Sequence, residues 1–121
     1  MGVKYTFITL AILFNAFANI FMKYGVRKKP VDIKTGILPF INSYVSNPLL
    51  LSGIIFFGIA LVFYNKALER FDLSIAYPVM TSGGIMIVTC WSVIFLGERI
   101  SFLHILGITM ITGGIWLLNI Q

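Results

Sequence analysis

The stretch Ser74–Ser101, SIAYPVMTSGGIMIVTCWSVIFLGERIS, carries no charged residue before Glu98. A helix rises about 1.5 Å per residue, so roughly 20 apolar residues cross a hydrocarbon core of about 30 Å. The stretch is therefore expected to be a membrane span. Ser82-Gly83-Gly84 interrupt it near its first third. Adjacent glycines cost a soluble helix roughly 1 kcal/mol each relative to alanine. Inside a bilayer they allow either close backbone approach or a bend. Gly83 and Gly84 are candidate hinge residues on the second reading.

Three further segments have spanning length, which makes four: about Lys4–Tyr24, Pro48–Lys66, Ser74–Leu96 and Ser101–Asn119. With 59% hydrophobic and 11% charged residues and a mean hydropathy of +0.97, almost nothing is left for a soluble domain. The expectation is one all-α integral membrane domain over residues 1–121, with four transmembrane helices, the third kinked at Ser82-Gly84. Its expected place is the cell (inner) membrane, multi-pass. Lys4, the apolar run after it and Ala16-Phe17-Ala18 loosely resemble a secretion signal. The run continues through Met22, so a retained first span is expected. The single cysteine, Cys90, falls inside the third span and behaves there as a small hydrophobe.

Asn15, Asn19 and Lys23 are spaced four apart in the first span and so share one helical face. Polar groups facing lipid are costly, so this stripe should face other helices or a wet cavity. Two readings stand: the asparagines bond to neighbouring helices while Lys23 snorkels to the interface, or the stripe meets a substrate.

The link from Val26 to Asn47 holds the basic cluster Arg27-Lys28-Lys29, then Pro30 and a broken apolar segment through Pro39. It is too short and interrupted to span. A segment lying on the bilayer surface is expected at about 26–47, with its cations serving as a topology signal or attracting anionic headgroups. Asn47-Pro48 has the form of an N-cap followed by proline at the first helical position. Ser74 and Ser101 are candidate caps of the third and fourth spans. His104 lies one turn inside the fourth and reads as an interfacial anchor. Gly107 and Gly114, two turns apart, place a smooth face on the fourth span with Gly113 beside them. That face suits packing within the chain or a dimer contact.

With four spans, Lys4, Lys66 and Arg70 fall at the end of the termini. Lys23, Arg27, Lys28, Lys29, Lys34 and Arg99 fall at the other, three against six. The positive-inside rule then favours both termini outside. No nucleophile–base pair, metal-spaced ligand set or phosphate-binding loop is visible. An enzyme is not expected, nor a cofactor, a metal or a nucleic-acid partner.

From Ser74 to Asn119 the chain resembles the C-terminal half of the small multidrug resistance transporters. Ile75-Ala76-Tyr77, Gly84, Gly97-Glu98-Arg99, Gly107, Gly114 and Asn119 carry the likeness, and Ala11-Ile12-Leu13 and Met22-Lys23 extend it to the first span. The resemblance implies the drug/metabolite transporter superfamily: a four-helix protomer working as a dimer, often antiparallel. Its third span would bend near Ser82–Gly84, its fourth would form the dimer contact, and its first three would line the cavity. The glutamate on which that family exchanges protons and cationic drugs corresponds to Asn15. Its cation-stacking aromatic corresponds to Met80, and a further cavity tyrosine to Phe57; Tyr77 alone is retained. All four acidic residues, Asp32, Glu69, Asp72 and Glu98, lie at or beyond span ends. An amide does not titrate, so Asn15 cannot trade a proton for a substrate. A lipophilic cation would meet no buried counter-charge.

Asn47-Pro48, Ala76-Tyr77-Pro78, Leu96-Gly97-Glu98 and the long first link are similar to short EamA-type proteins and the small subunits of the aminoarabinose-lipid flippase. That resemblance implies translocation of a polyprenyl-phosphate-linked sugar or a similar amphiphile. Lys23, Lys66 and Arg27–Lys29 could then meet a phosphate, and Asn15, Asn19, Tyr77, Thr81 and Ser82 could hydrogen-bond sugar hydroxyls. The expected partners are membrane lipids, an amphipathic or lipid-linked substrate, and a second copy or a homologous small subunit. The alternatives are an exporter of drugs or metabolites with a different coupling residue, and a membrane scaffold that transports nothing.

Overall fold

The computed structural model describes residues 2–120. Met1 and Gln121, the two ends of the expected domain, lie outside the described residues, as does the Lys4 side chain counted in the topology argument. Five helices follow in order: α1 Gly2–Lys28, α2 Ile37–Val45, α3 Pro48–Leu68, α4 Leu73–Ile94 and α5 Phe102–Asn119. Four of them, from Tyr5–Lys28, Pro48–Leu68, Leu73–Ile94 and Phe102–Asn119, are long and apolar enough to cross a membrane. The all-α, four-span expectation holds.

The helices run alternately up and down, with α1 at the centre against both α3 and α4. The α1–α3 contact is the closest. A Cβ added to Gly53 would sit 2.5 Å from Met22 Cγ and 3.1 Å from the Ala18 carbonyl. One added to Gly25 would sit 2.9 Å from Leu50 Cγ. Hydrogen side chains at these points let two backbones meet, which is how helices associate where lipid is as apolar as leucine. From the Gly53 contact a ladder of rings continues towards the start of α1. Phe7 and Phe14 stack on Phe63, and Phe14 and Phe21 stack on Phe56, with centroids 5.2–6.4 Å apart. Phe7, Phe14 and Phe21 recur every seventh residue, as do Phe56 and Phe63, so each set keeps one helical face. Each such pair contributes about 0.5–1.5 kcal/mol beyond its area.

Asn47 fastens the far end. Its Oδ1 accepts from the Leu49 and Leu50 amides, capping α3, while its Nδ2 donates to the Gly25 carbonyl at 2.9 Å. The expected Asn-Pro start is thus also a tie to α1. Ser101 caps α5, its hydroxyl accepting from the His104 amide at 3.2 Å.

Three sequence expectations shift. The first helix runs past Tyr24 to Lys28, because Pro30 is the first residue that disfavours helix before it. Helix α4 starts at Leu73 on Asp72, so Ser74 is no cap. Pro78 has no amide to give a carbonyl four residues back. Pro78 nonetheless lies inside the helix, while the Ile75 and Ala76 amides close the first turn on the Asp72 carbonyl, at 3.0 and 2.9 Å. The third span ends at Ile94 rather than Leu96. Gly97 adopts φ +69°, a left-handed turn natural to glycine, and the Glu98 amide folds back to the Ser92 carbonyl at 3.1 Å. Through Ser82-Gly83-Gly84 the helix is continuous.

The link contains α2, nine residues packed against α3. Ile37, Leu38, Ile41 and Val45 point away from the bundle, at the end that holds Arg27–Lys29. Asp32 organises the turn before it. Its carboxylate accepts from the Thr35 hydroxyl and from the Lys34 and Thr35 amides, and the Asp32 amide donates to Ser43 Oγ at 3.1 Å.

Gly53→Ala is expected to lower thermal stability in detergent by about 1–3 kcal/mol, through the crowded Ala18 carbonyl. Gly58→Ala, where an added Cβ meets nothing within 4 Å, should leave it unchanged or raise it by up to about 1 kcal/mol. The Thr35 hydroxyl, then the two amides, hold the Asp32 carboxyl below the usual carboxylate range. A lowered folded-state pKa means that this stabilisation is full above the ordinary Asp value and is lost as pH falls through the lowered one. Hydrogen exchange at the Lys34 and Thr35 amides should therefore accelerate only in acid, and Asp32→Asn should remove that dependence.

Candidate functional site

The polar stripe of α1 faces α4. Gly83 and Gly84 make this possible. A Cβ on Gly83 would lie 2.9 Å from Ile12 Cγ2, and one on Gly84 would lie 3.4 Å from Asn15 Nδ2. The glycine pair is thus the place where α1 rests on α4. Farther along, Trp91 Nε1 donates to the Tyr24 hydroxyl at 3.2 Å.

Beside this seam lies a groove of about 430 Å³ lined by Asn15, Asn19, Tyr77, Met80, Thr81, Gly84, Ile85, Val88 and Thr89. Tyr77, Thr81, Gly84 and Val88 recur at three or four residues, one face of α4. A second cavity of about 350 Å³ shares Asn19, Val88 and Thr89 with it and continues to Lys23, Trp91, Ser92, Glu98 and His104. The two adjoin along α1 and α4, and their linings together run from Tyr77 to the basic end of the bundle.

Uncharged donors and acceptors line its deeper part. Asn19 Nδ2 donates to the Asn15 carbonyl at 2.9 Å, leaving the Asn19 oxygen and one N–H to the groove. The Thr81 hydroxyl donates to the Tyr77 carbonyl at 2.8 Å and keeps its acceptor lone pairs. Charge enters only at the rim, where Lys23 Nζ stands 3.6 Å from Glu98 Oε1 and both side chains are about half exposed. A pair this exposed contributes about 0–1 kcal/mol.

Of the residues expected from sequence, Asn15, Asn19, Tyr77 and Thr81 meet in the groove and Lys23 at its rim. Ser82 does not join them. It lies about 100° round the helix from Thr81, and its hydroxyl donates to the Val79 carbonyl at 3.0 Å. Lys66 sits at the opposite end of the bundle, paired with Glu69 at 3.2 Å. Gly107, Gly113 and Gly114 lie on α5, which packs on α4 alone among the described helices and buries no residue. A Cβ on any of the three would meet nothing within 4 Å, so their face is uncovered in the single chain. Trp91 and Ser92 escaped the sequence reading, although they extend the Tyr77–Thr81–Val88 periodicity, as did Thr89, which lies four residues beyond Ile85. Glu98 and His104 escaped it because their approach to Lys23 depends on the turn at Gly97.

The EamA-like transporter family matches residues 36–120. The chain belongs to that family. It is also 31% identical over 117 residues to the uncharacterized membrane protein YvaE of Bacillus subtilis (strain 168), covering 97% of this chain and 85% of that one. The quaternary ammonium compound-resistance protein QacC of Staphylococcus aureus is 34% identical over 70 residues, 58% of this chain and 65% of its own. QacF of Klebsiella aerogenes, named likewise, is 33% identical over 64 residues, 53% and 58% of the two chains. No solved structure matches. Family membership and four spanning helices make this chain a multi-pass membrane transporter.

If the groove between α1 and α4 holds water, its walls must be reachable from the aqueous phase. In a Cys90→Ser background, Thr81→Cys should react with a membrane-impermeant maleimide about tenfold faster than Ile55→Cys, because thiolates form only in contact with water. Equal rates would show a dry groove.

Proposed function

We propose that the chain moves an amphipathic molecule between leaflets by alternating access, and that the cargo is a polyprenyl-phosphate-linked sugar or a similar lipid. The reading is carried by one observation: a groove of neutral hydrogen-bonding groups opens along the bundle and ends on charge at its rim. Sugar hydroxyls are satisfied by amides and hydroxyls, and Asn15, Asn19, Tyr77 and Thr81 supply both donors and acceptors. A phosphate prefers the rim, where Lys23 needs no burial and Arg27–Lys29 lie at the same end of the bundle. The apolar tail remains in lipid along the open side of the groove. On this reading the protein is a carrier and not a catalyst, and it works as a pair, with the uncovered α5 glycine face against a second copy or a homologous small subunit.

The names of QacC and QacF favour a second reading, export of quaternary ammonium compounds. The groove counts against it. A permanent cation at mid-depth requires a nearby anion to offset its desolvation, and Asn15 and Asn19 carry none.

Reconstituted vesicles separate the two. A radiolabelled polyprenyl-phosphate sugar should cross between leaflets faster than in protein-free vesicles. Asn15→Leu and Lys23→Ala should each slow it at least about tenfold while the variant still elutes as a folded species. Uptake of a fluorescent quaternary ammonium dye with no movement of the sugar lipid would establish the exporter. Movement of neither, with or without a homologous subunit, would leave a scaffold role.

A further inference from the structure

The Lys23–Glu98 pair is an unusual rim for a groove that takes an anionic headgroup, because it holds one charge of each sign. Both side chains line the same cavity, with Asn19, Trp91, Ser92 and His104 around them. At 3.6 Å, Nζ and Oε1 stand farther apart than the 2.7–2.9 Å of a strong charge-assisted hydrogen bond. The pair is half exposed, so separating it costs little. The backbone nonetheless holds the two groups to this place. Lys23 rides on α1, and the Gly97 turn returns Glu98 towards the end of α4 through its amide bond to Ser92. Trp91 is pinned in the cavity wall by the Tyr24 hydroxyl. The Lys66–Glu69 pair shows the contrast: it joins residues three apart at the end of α3 and lines neither of the two cavities.

We propose that the Lys23–Glu98 rim is a receptor for a zwitterionic headgroup, with the ligand's anionic group on Lys23 and its cationic group on Glu98. A ligand of one sign that takes one member of the pair leaves the other without its counter-charge. A ligand with both signs replaces the internal pair and leaves no charge unmatched, and charge complementarity of this kind sets selectivity more than affinity. Glu98 is then the specificity-determining residue: among the phosphate-linked lipids of the transport reading, it favours those whose headgroup also carries a cation. The inference rests on the transport reading only in taking this cavity as the path of the headgroup. The same chemistry is offered by a phospholipid headgroup of the phosphoethanolamine type and by a soluble zwitterion such as a betaine.

Binding tests this apart from transport. The chain has two tryptophans, so Trp116→Phe leaves Trp91 in the cavity wall as the reporter. The full chain in detergent is titrated with dihexanoyl phosphatidylethanolamine, dihexanoyl phosphatidylglycerol and glycine betaine. The zwitterionic lipid is expected to bind about threefold to fivefold more tightly than the anionic one, the upper end of what one half-exposed ion pair supplies. Glu98→Gln should bring that ratio to one or below, and the exchanged pair Lys23→Glu/Glu98→Lys should restore it. Betaine competing with the lipid assigns a soluble ligand; failure to compete, with lipid binding intact, assigns a lipid headgroup. Equal affinities in the parent protein, no binding of either lipid, or a ratio unmoved by Glu98→Gln each overturns the proposal. Selective binding without movement between leaflets sinks the transport reading and leaves this one standing. Movement of a sugar lipid with no zwitterion preference does the reverse.

Discussion

Everything in this bundle depends on how closely α1 can approach its neighbours. A bilayer supplies almost no hydrophobic drive for one helix to join another, so contact must come from shape. Gly25 and Gly53 remove side chains where α1 meets α3, and Gly83 and Gly84 do so where it meets α4. The gaps are filled from across the seam by Leu50, Met22 and Ile12. The phenylalanine ladder then fixes the rotation of α1 against α3. With that rotation set, the opposite stripe of Asn15, Asn19 and Lys23 has one place to go, the side of α4.

Electrostatics follows from that placement. A charge at mid-depth is costly, and the residues of the deep groove meet this constraint with amides and hydroxyls. Lys23 reaches the rim by lying two turns beyond Asn15 on the same face. Glu98 reaches it by a different route, since a glycine in the left-handed region turns the chain back after α4. A neutral groove ending in an opposed pair of charges is therefore the joint product of one helix and one turn. Over about half its length the chain is similar in sequence to proteins named for resistance to quaternary ammonium compounds. Asn15 and Asn19 put non-titrating amides in this groove, and the proposed cargo is one that such groups can hold.

Much of this was legible in advance. Four runs of about twenty apolar residues allow no other architecture, and Asn47-Pro48 and Ser101 marked two helix starts correctly. The asparagine stripe was visible because its spacing matches a helical turn. Other features were not legible. Ser82 and Thr81 are adjacent and similar in chemistry, and only the rotation of α4 decides that Thr81 meets the groove. Lys66 and Lys23 are both interfacial lysines, and which of them borders the cavity depends on where α1 and α4 cross. Ser74 had the composition of a cap, but the Ile75 and Ala76 amides bond to the Asp72 carbonyl and the helix starts there, with Pro78 inside it.

The sequence by itself determined that this chain lies in a membrane and that its spanning segments keep their acidic residues to the ends. Those properties belong to stretches of residues and to the solvent around them, and no folding can change them. Only the tertiary structure decided which polar residues share a cavity and that Lys23 finds Glu98. The two stand 75 positions apart, and nothing local links them. Their meeting depends on α1 and α4 lying side by side at a glycine contact and on a single turn of positive φ beyond it.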